Sequence, residues 1–262
     1  MNYSYDATFY EYINRGAIRS AEIILGRLLQ VLRITSVVDF GCGQGAWLSV
    51  WQRLVSAAVL GVDGDYVNRD ALLIDKSAFK PWDLTQALGC ERRFDLCQSL
   101  EVAEHLPDAA ADTFVKTLVD HADMVMFSAA VPGQGGENHI NEQHYEYWRA
   151  KFRRYDYLPA DFLRPFIATN REVEAWYRYN TLLYVKASTI PALPSPLTAT
   201  LVPDGQALAD VAPLHYRLRC KLIALLPPSG ATALAIAKKH CATALRRNPR
   251  PGEQPWRDSG RP

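Results

Sequence analysis

The sequence predicts an α/β fold: a doubly wound, mostly parallel sheet followed by a C-terminal helical tail. Three observations carry that expectation. Apolar runs of strand length, at residues 36–40, 58–63 and 94–100 among others, alternate with segments of helical periodicity. The first run breaks into Gly41, Gly43 and Gly45 and then into a helix, a strand-to-helix turn where side chains would obstruct a ligand. Near Ala187 the strand patterning ends, and prolines followed by basic helical stretches take over.

At 262 residues the chain is long enough for one large core plus a tail. Lysine and arginine total 29 against 28 for aspartate and glutamate, so the charge balance calls for no nucleic acid or other polyanion. The 5 cysteines, Cys42, Cys90, Cys97, Cys220 and Cys241, form no C-x-x-C pair and read as reduced core residues of a cytosolic protein. The N-terminus lacks the pattern of a signal peptide, and no apolar run reaches membrane-spanning length. The expectation is a cytoplasmic location. No internal repeat is present.

In chain order, residues 9–33 predict one or two helices, with Ile13, Ala17, Ala21, Ile24, Leu28 and Leu32 at helical spacing. An aromatic cluster, Tyr3, Tyr5, Phe9, Tyr10 and Tyr12, lies at its start. Residues 36–45 read as a buried parallel strand and its glycine turn, and 46–57 as the first crossover helix. The spacing Asp39-x-Gly41-x-Gly43-x-Gly45 differs from the G-x-G-x-x-G of a dinucleotide site, and the acid before the turn would repel phosphate and attract an ammonium. The second strand, 58–63, ends in Asp63, placed to accept both hydroxyls of a ribose; Asp63 or Asp65 could otherwise cap the next helix. A short third strand is expected within 79–84, ending at Asp83, with a surface turn after Pro81 as the alternative.

Residues 94–100 predict a fourth strand, followed by Glu101, Glu104 and His105 as E-x-x-E-H. On a helical turn these positions share a face, so two carboxylates and an imidazole converge at the carboxyl end of a parallel strand, where open α/β sheets bind ligands. Carboxylates that close repel unless neutralised, which fits Mg²⁺ or Mn²⁺; the alternative is that the run positions the helix. A fifth strand lies within 121–131 and runs into a glycine-rich loop, Pro132, Gly133, Gly135 and Gly136, carrying His139 and His144. His139 lies on the loop and is the choice for fourth ligand or general base, with His144 as substitute; either could cap the helix expected at 142–152. Residues 172–179 and 181–186 then read as an antiparallel strand pair turning at Asn180, with Trp176 or Tyr177 facing an acceptor.

The glycine turn, its flanking acids and the E-x-x-E-H run resemble the class I S-adenosylmethionine (SAM) dependent methyltransferases over about residues 20–187. The resemblance implies a seven-stranded sheet with an antiparallel last strand, and a site in which Asp39 takes the ammonium end of SAM, Gly41, Gly43 and Gly45 let it approach, Asp63 holds the ribose, Asp83 and Leu84 meet the adenine, and Glu101 lies on the cofactor side. It also makes the N-terminal segment a cover, with Tyr10, Arg19 and Ser20 as lid residues. Two branches, the small-RNA 2′-O-methyltransferases and the catechol-type O-methyltransferases, have a matching Glu-x-x-Glu-His with a later histidine. This implies a divalent ion on Glu101, Glu104, His105 and His139. The G-Q-G-G-x-x-H-x-N-E-Q run is similar to bacterial methyltransferases of glycan pathways. The expected activity is therefore O-methylation of a vicinal diol, a sugar or glycan ahead of a catechol, with His139, His105 or His144 taking the proton if no metal binds. A metal-independent N- or C-methyltransferase and a non-catalytic SAM-binding protein are the other readings, and RNA as acceptor is disfavoured by the neutral charge.

The expected division is a SAM-binding domain at 1–187, a proline-rich linker at 188–211 and a basic helical tail at 212–262, with helices at 212–226 and 231–247 and a disordered end. A basic amphipathic tail fits an anionic membrane surface, and equally a helical pair packed on the domain or on a second copy of the chain.

Overall fold

A computed structural model describes residues 7–227, 229–230 and 232–237, the side chains of 7–13 and 15 excepted. Seven strands form one sheet: β1 (Ser36–Phe40), β2 (Ala58–Asp63), β3 (Phe79–Pro81), β4 (Leu96–Leu100), β5 (Met124–Ser128), β6 (Tyr157–Ala160) and β7 (Leu182–Lys186). Their order is β3-β2-β1-β4-β5-β7-β6. The first five pair in parallel and β7 runs antiparallel to both β5 and β6, the doubly wound arrangement that the alternation predicts. The chain order reverses between β1 and β4, and ligands of such sheets bind at the carboxyl ends on either side of that switch.

Helices cover both faces. α1 (Ala7–Leu28) buries Ala17, Ala21, Ile24, Leu25 and Leu28 on one stripe, and with α2 (Ala46–Val55) it builds the core on one side of the sheet around Trp47, Leu48 and Trp51. On the other face α3 (Ala111–His121) and α4 (Tyr145–Arg153) supply Phe114, Leu118, Trp148 and Phe152, with the Phe152 and Tyr184 rings stacked at 3.9 Å. β1, β4 and β5 are buried almost throughout, which is why they read as unbroken apolar runs.

Two expectations are corrected. The segment EVEAWYRY does not form a strand; Ala175–Asn180 is a helix, α6, after the short α5 (Arg164–Ile167), and the antiparallel partner of β7 is Tyr157–Ala160. Glu174 stands at the N-cap, and α6 buries Tyr177, Tyr179 and Asn180. Those three do not alternate as strand faces would. Cys90, expected in the core, is exposed, whereas Cys42, Cys97 and Cys220 are buried free thiols.

Residues 188–211 lie against the domain: Leu197 of α7 (Ser195–Thr198) is fully buried, and Arg149 donates to the carbonyls of Val202, Pro203 and Gln206. Beyond them α8 (Leu214–Ile223) packs Cys220 and Ile223 inward. The remainder of the second tail helix, Cys241 and the sequence to Pro262 fall outside the described residues.

Candidate active site

The turn after β1 holds Gly41, Gly43 and Gly45 at φ 85°, 53° and 81°, all in the left-handed region that glycine enters without strain. At Gly41 the reason is also packing, since a Cβ there would lie 2.2 Å from the Val102 side chain. Asp63, at the end of β2, fastens this turn. It accepts from the amides of Gly43 at 2.7 Å and Gly64 at 2.6 Å and from the Tyr66 hydroxyl at 2.6 Å. Burial still raises its carboxyl above the usual carboxylate range. Asp65 pairs instead with Arg69 on the surface.

Asp39 is buried in β1 and receives one hydrogen bond, from the Gln98 amide at 2.9 Å, while Gln98 in turn accepts from the Trp51 indole at 2.8 Å. Desolvation pushes Asp39 up to about 7, with the nearby Asp63 adding to it and Gln98 opposing it. Two acids therefore flank the glycine turn. At the far side Leu84 is buried beside Val62 in the core, and exposed Asp83 turns inward on its own chain, accepting from the amide and hydroxyl of Thr85.

The N-terminal segment reaches the turn through Asn14, whose amide donates to Gln44 at 2.7 Å. Arg19 and Ser20 face elsewhere: Arg19 pairs with Glu22 and Glu172, and the Ser20 hydroxyl binds the Gly16 carbonyl and the Glu174 amide. They clasp α1 to the segment before α6. The Tyr10 side chain lies outside the described residues.

At the end of β4, Glu101 adopts φ 57°, a strained conformation for a residue with a side chain. Its carboxylate is held by two amides, Gln134 at 2.6 Å and Asn180 at 3.2 Å, and Asn180 also donates to Gln134 at 2.7 Å. Residues 103–105 form a single 3-10 turn, so Glu104 and His105 are swung into the space beneath the glycine-rich loop. Glu104, His105 and His139 offer ligand atoms that all lie within 4.8 Å of one another. Glu101 sits beside this trio with its oxygens committed to the amides. His144 is exposed at the N-cap of α4, outside the trio.

Both imidazoles are oriented from behind. His105 Nδ1 donates to the Asn138 carbonyl at 3.2 Å and His139 Nδ1 to the Glu142 carboxylate at 2.8 Å; the rings meet edge to face at 4.9 Å. Glu142 also accepts from the amides of Gly133 and Gly135, which knits the loop around it. Gly136 leaves room for His139, whose Nε2 would lie 2.0 Å from a Cβ at that position. Burial, with His139 adding to it, lowers His105 to about 3, so it is neutral at physiological pH. Glu104 is fully buried and neither carboxylate oxygen has a hydrogen-bond partner. Desolvation and then Glu101 drive its carboxyl well above the usual range.

In the sequence Gln134 is one residue of the glycine-rich run and Asn180 a turn residue, and neither they nor Gln98 is marked as the partner of an acid. Each is an uncharged amide, and only the folded arrangement shows that it holds an acid.

No curated protein matches the chain. Among solved structures, DesVI of Streptomyces venezuelae superposes with a TM-score of 0.52 at 13% identity, covering 71% of this chain and 100% of that one. Magnesium protoporphyrin IX methyltransferase (ChlM) of Synechocystis PCC 6803, with bound SAM, gives 0.49 at 17% identity over 71% and 87%. An O-methyltransferase family protein of Burkholderia thailandensis gives 0.49 at 12% identity over 68% and 57%. The model of the methyltransferase domain family matches residues 13–165, from α1 through the glycine turn and the Glu101–His139 region to α5. With that match over more than half of its length, on a Rossmann-like seven-stranded sheet, the chain belongs to the SAM-dependent class I methyltransferases.

Proposed function

We propose that the protein is an O-methyltransferase that methylates one hydroxyl of a vicinal diol, a sugar or glycan by preference, with Mg²⁺ or Mn²⁺ held by Glu104, His105 and His139. Glu104 is the observation that carries this reading. A carboxylate taken fully out of water without a hydrogen bond is costly, and a cation between it and two imidazoles removes the cost. The donor set fits: carboxylate and imidazole suit a borderline or hard divalent ion, and each ring is braced at Nδ1 by an oxygen, as metal-binding histidines are. Glu101, held by Gln134 and Asn180, is a neighbouring group that joins the ligands only if it exchanges an amide for the ion.

On the cofactor side, Asp39 and Asp63 suit the ammonium and ribose of SAM, Gly41, Gly43 and Gly45 its close approach, and Asp83 and Leu84 the adenine edge. Bound SAM supplies an electrophilic methyl group, and a bound divalent ion lowers the pKa of a coordinated hydroxyl. The protein's own part is positioning, since in-line displacement requires the oxygen lone pair to face the methyl. A second reading rests on the His139–Glu142 pair: without metal, an imidazole backed by a carboxylate takes the hydroxyl proton. His105, already lowered to about 3, is the weaker base.

Calorimetric titration with S-adenosylhomocysteine and then Mg²⁺ or Mn²⁺ tests this on wild type, Glu104→Ala and His105→Ala. The expected result is nucleoside binding by all three and metal binding by wild type alone. Nucleoside binding without metal binding moves the mechanism to His139 and Glu142; failure of folded wild type to bind either removes the enzymatic reading.

A further inference from the structure

The tail helix α8 has two apolar faces. One packs on the domain: Cys220 and Ile223 are buried, the Tyr216 ring lies 4.8 Å from Tyr179, and a Cβ at Gly133 would meet the Cys220 carbonyl at 1.9 Å. Arg219 donates to the Gln134 carbonyl at 3.1 Å, and farther along Thr232 accepts from the Asn138 amide at 3.4 Å. The helix is thus mounted on the loop that carries Gln134 and His139.

Among the described residues nothing covers the other face. Leu214, Leu218 and Leu222 are 63%, 51% and 68% exposed, and Leu225, just past the helix end, is 81% exposed. At 100° per residue the three helical leucines fall within about 80° of arc, opposite Tyr216, Cys220 and Ile223. Arg217 and Lys221, both exposed, border that stripe on one side. Contiguous exposed leucines beside cations are what an interfacial helix presents to lipid. Among the described residues no helix is long and apolar enough to cross a membrane, so the contact would be peripheral.

We propose that the leucine face of α8 seats the protein on an anionic lipid bilayer. Charge complementarity selects this occupant, because Arg217 and Lys221 sit at the depth of the phosphate headgroups when the leucines enter the acyl boundary. The opposite face of the same helix holds the glycine-rich loop, so docking sets the loop that carries His139 one helix diameter, roughly 10 Å, from the lipid surface. Resting on the O-methyltransferase reading above, the acceptor class becomes an amphiphile whose hydroxylated head stands at a membrane.

The test is sedimentation of the full chain with vesicles of mixed phosphatidylglycerol and phosphatidylcholine, and with phosphatidylcholine alone. Wild type is expected to bind the anionic vesicles, more weakly as salt is raised and more weakly still to the neutral ones. The double variant Leu218→Glu, Leu222→Glu should lose vesicle binding by about two orders of magnitude. Arg217→Glu with Lys221→Glu should abolish only the preference for anionic lipid. Both variants alter exposed residues, and unchanged divalent-ion affinity in calorimetry shows that fold and metal trio are intact, keeping this outcome separate from that of the metal site. Wild type that ignores anionic vesicles overturns the proposal. A wild-type dimer in light scattering that Leu218→Glu, Leu222→Glu turns into monomer overturns it too, since the stripe then belongs to a second copy.

Discussion

At the scale of single residues, the site is a set of acids that burial holds away from their preferred charge. Asp39 titrates at about 7 in the fold against an ordinary value of 3.8. Between those values the folded chain keeps a proton that the unfolded chain has lost, so this residue's contribution to stability falls as pH rises across that window. A cationic ligand group reverses the preference, because an ammonium pairs with the carboxylate and not with the acid. Affinity for S-adenosylhomocysteine should therefore rise with pH through about 7, by up to about tenfold per unit, and level off above about 8. Asp39→Asn should flatten that profile and lower affinity throughout; calorimetry over the range decides, and a flat wild-type profile would contradict it. Glu104 makes the complementary case. Its carboxyl is held well above the ordinary range by desolvation, so a neutral isostere asks little of the fold. Glu104→Gln should leave stability within about 1 kcal/mol of wild type while abolishing divalent-ion binding. Thermal unfolding and titration of the same sample measure both, and a large loss of stability would mean that the carboxylate is structural.

At the scale of elements, the loop after β5 depends on what packs against it. Gly133 has φ 78° and faces the Cys220 backbone, so Gly133→Ala meets both backbone strain and a carbonyl that cannot swing aside. The expected outcome is a loss of about 2 kcal/mol and faster amide exchange across 214–223, read by thermal unfolding and hydrogen exchange; unchanged exchange would show that α8 does not rest on this loop. Such a contact was not legible in the sequence. The glycine turn, Asp63 and β2 were, because an apolar run ending in fixed turn chemistry specifies its own conformation. Residues 172–179 misled because aromatic and charged residues alternate there as in a strand, although the slot beside β7 belongs to Tyr157–Ala160. That competition is settled by pairing far along the chain. The trio of Glu104, His105 and His139 was half legible: Glu104 and His105 share one 3-10 turn while Glu101 stays at the strand end, the choice of His139 over His144 depends on the path of a loop, and the amides of Gln134 and Asn180 on Glu101 come from two distant segments.

At the scale of the whole molecule, the sheet and its two cores are complete before α8 begins. The buried residues of one core run from Ala17 to Leu197 and those of the other from Val38 to Leu208, and Arg149 pins the segment after Leu201 to α4 through three carbonyls. What α8 adds is pressure on the loop, through Cys220 on Gly133, Ile223 near Gly135 and Arg219 on Gln134. Stability and site geometry should therefore separate. A chain ending at Val211 should unfold cooperatively within a few °C of the full chain, because little core is removed. Its divalent-ion affinity should fall by about tenfold or more, because His139 and the Gln134 clamp on Glu101 lie on a loop that has lost its backing. Unfolding followed by circular dichroism and metal titration on the two lengths measure this directly. If the shortened chain fails to fold, α8 belongs to the core; if it folds and binds metal as tightly as the full chain, the loop holds its own shape, and the tail's contribution is confined to its outer face.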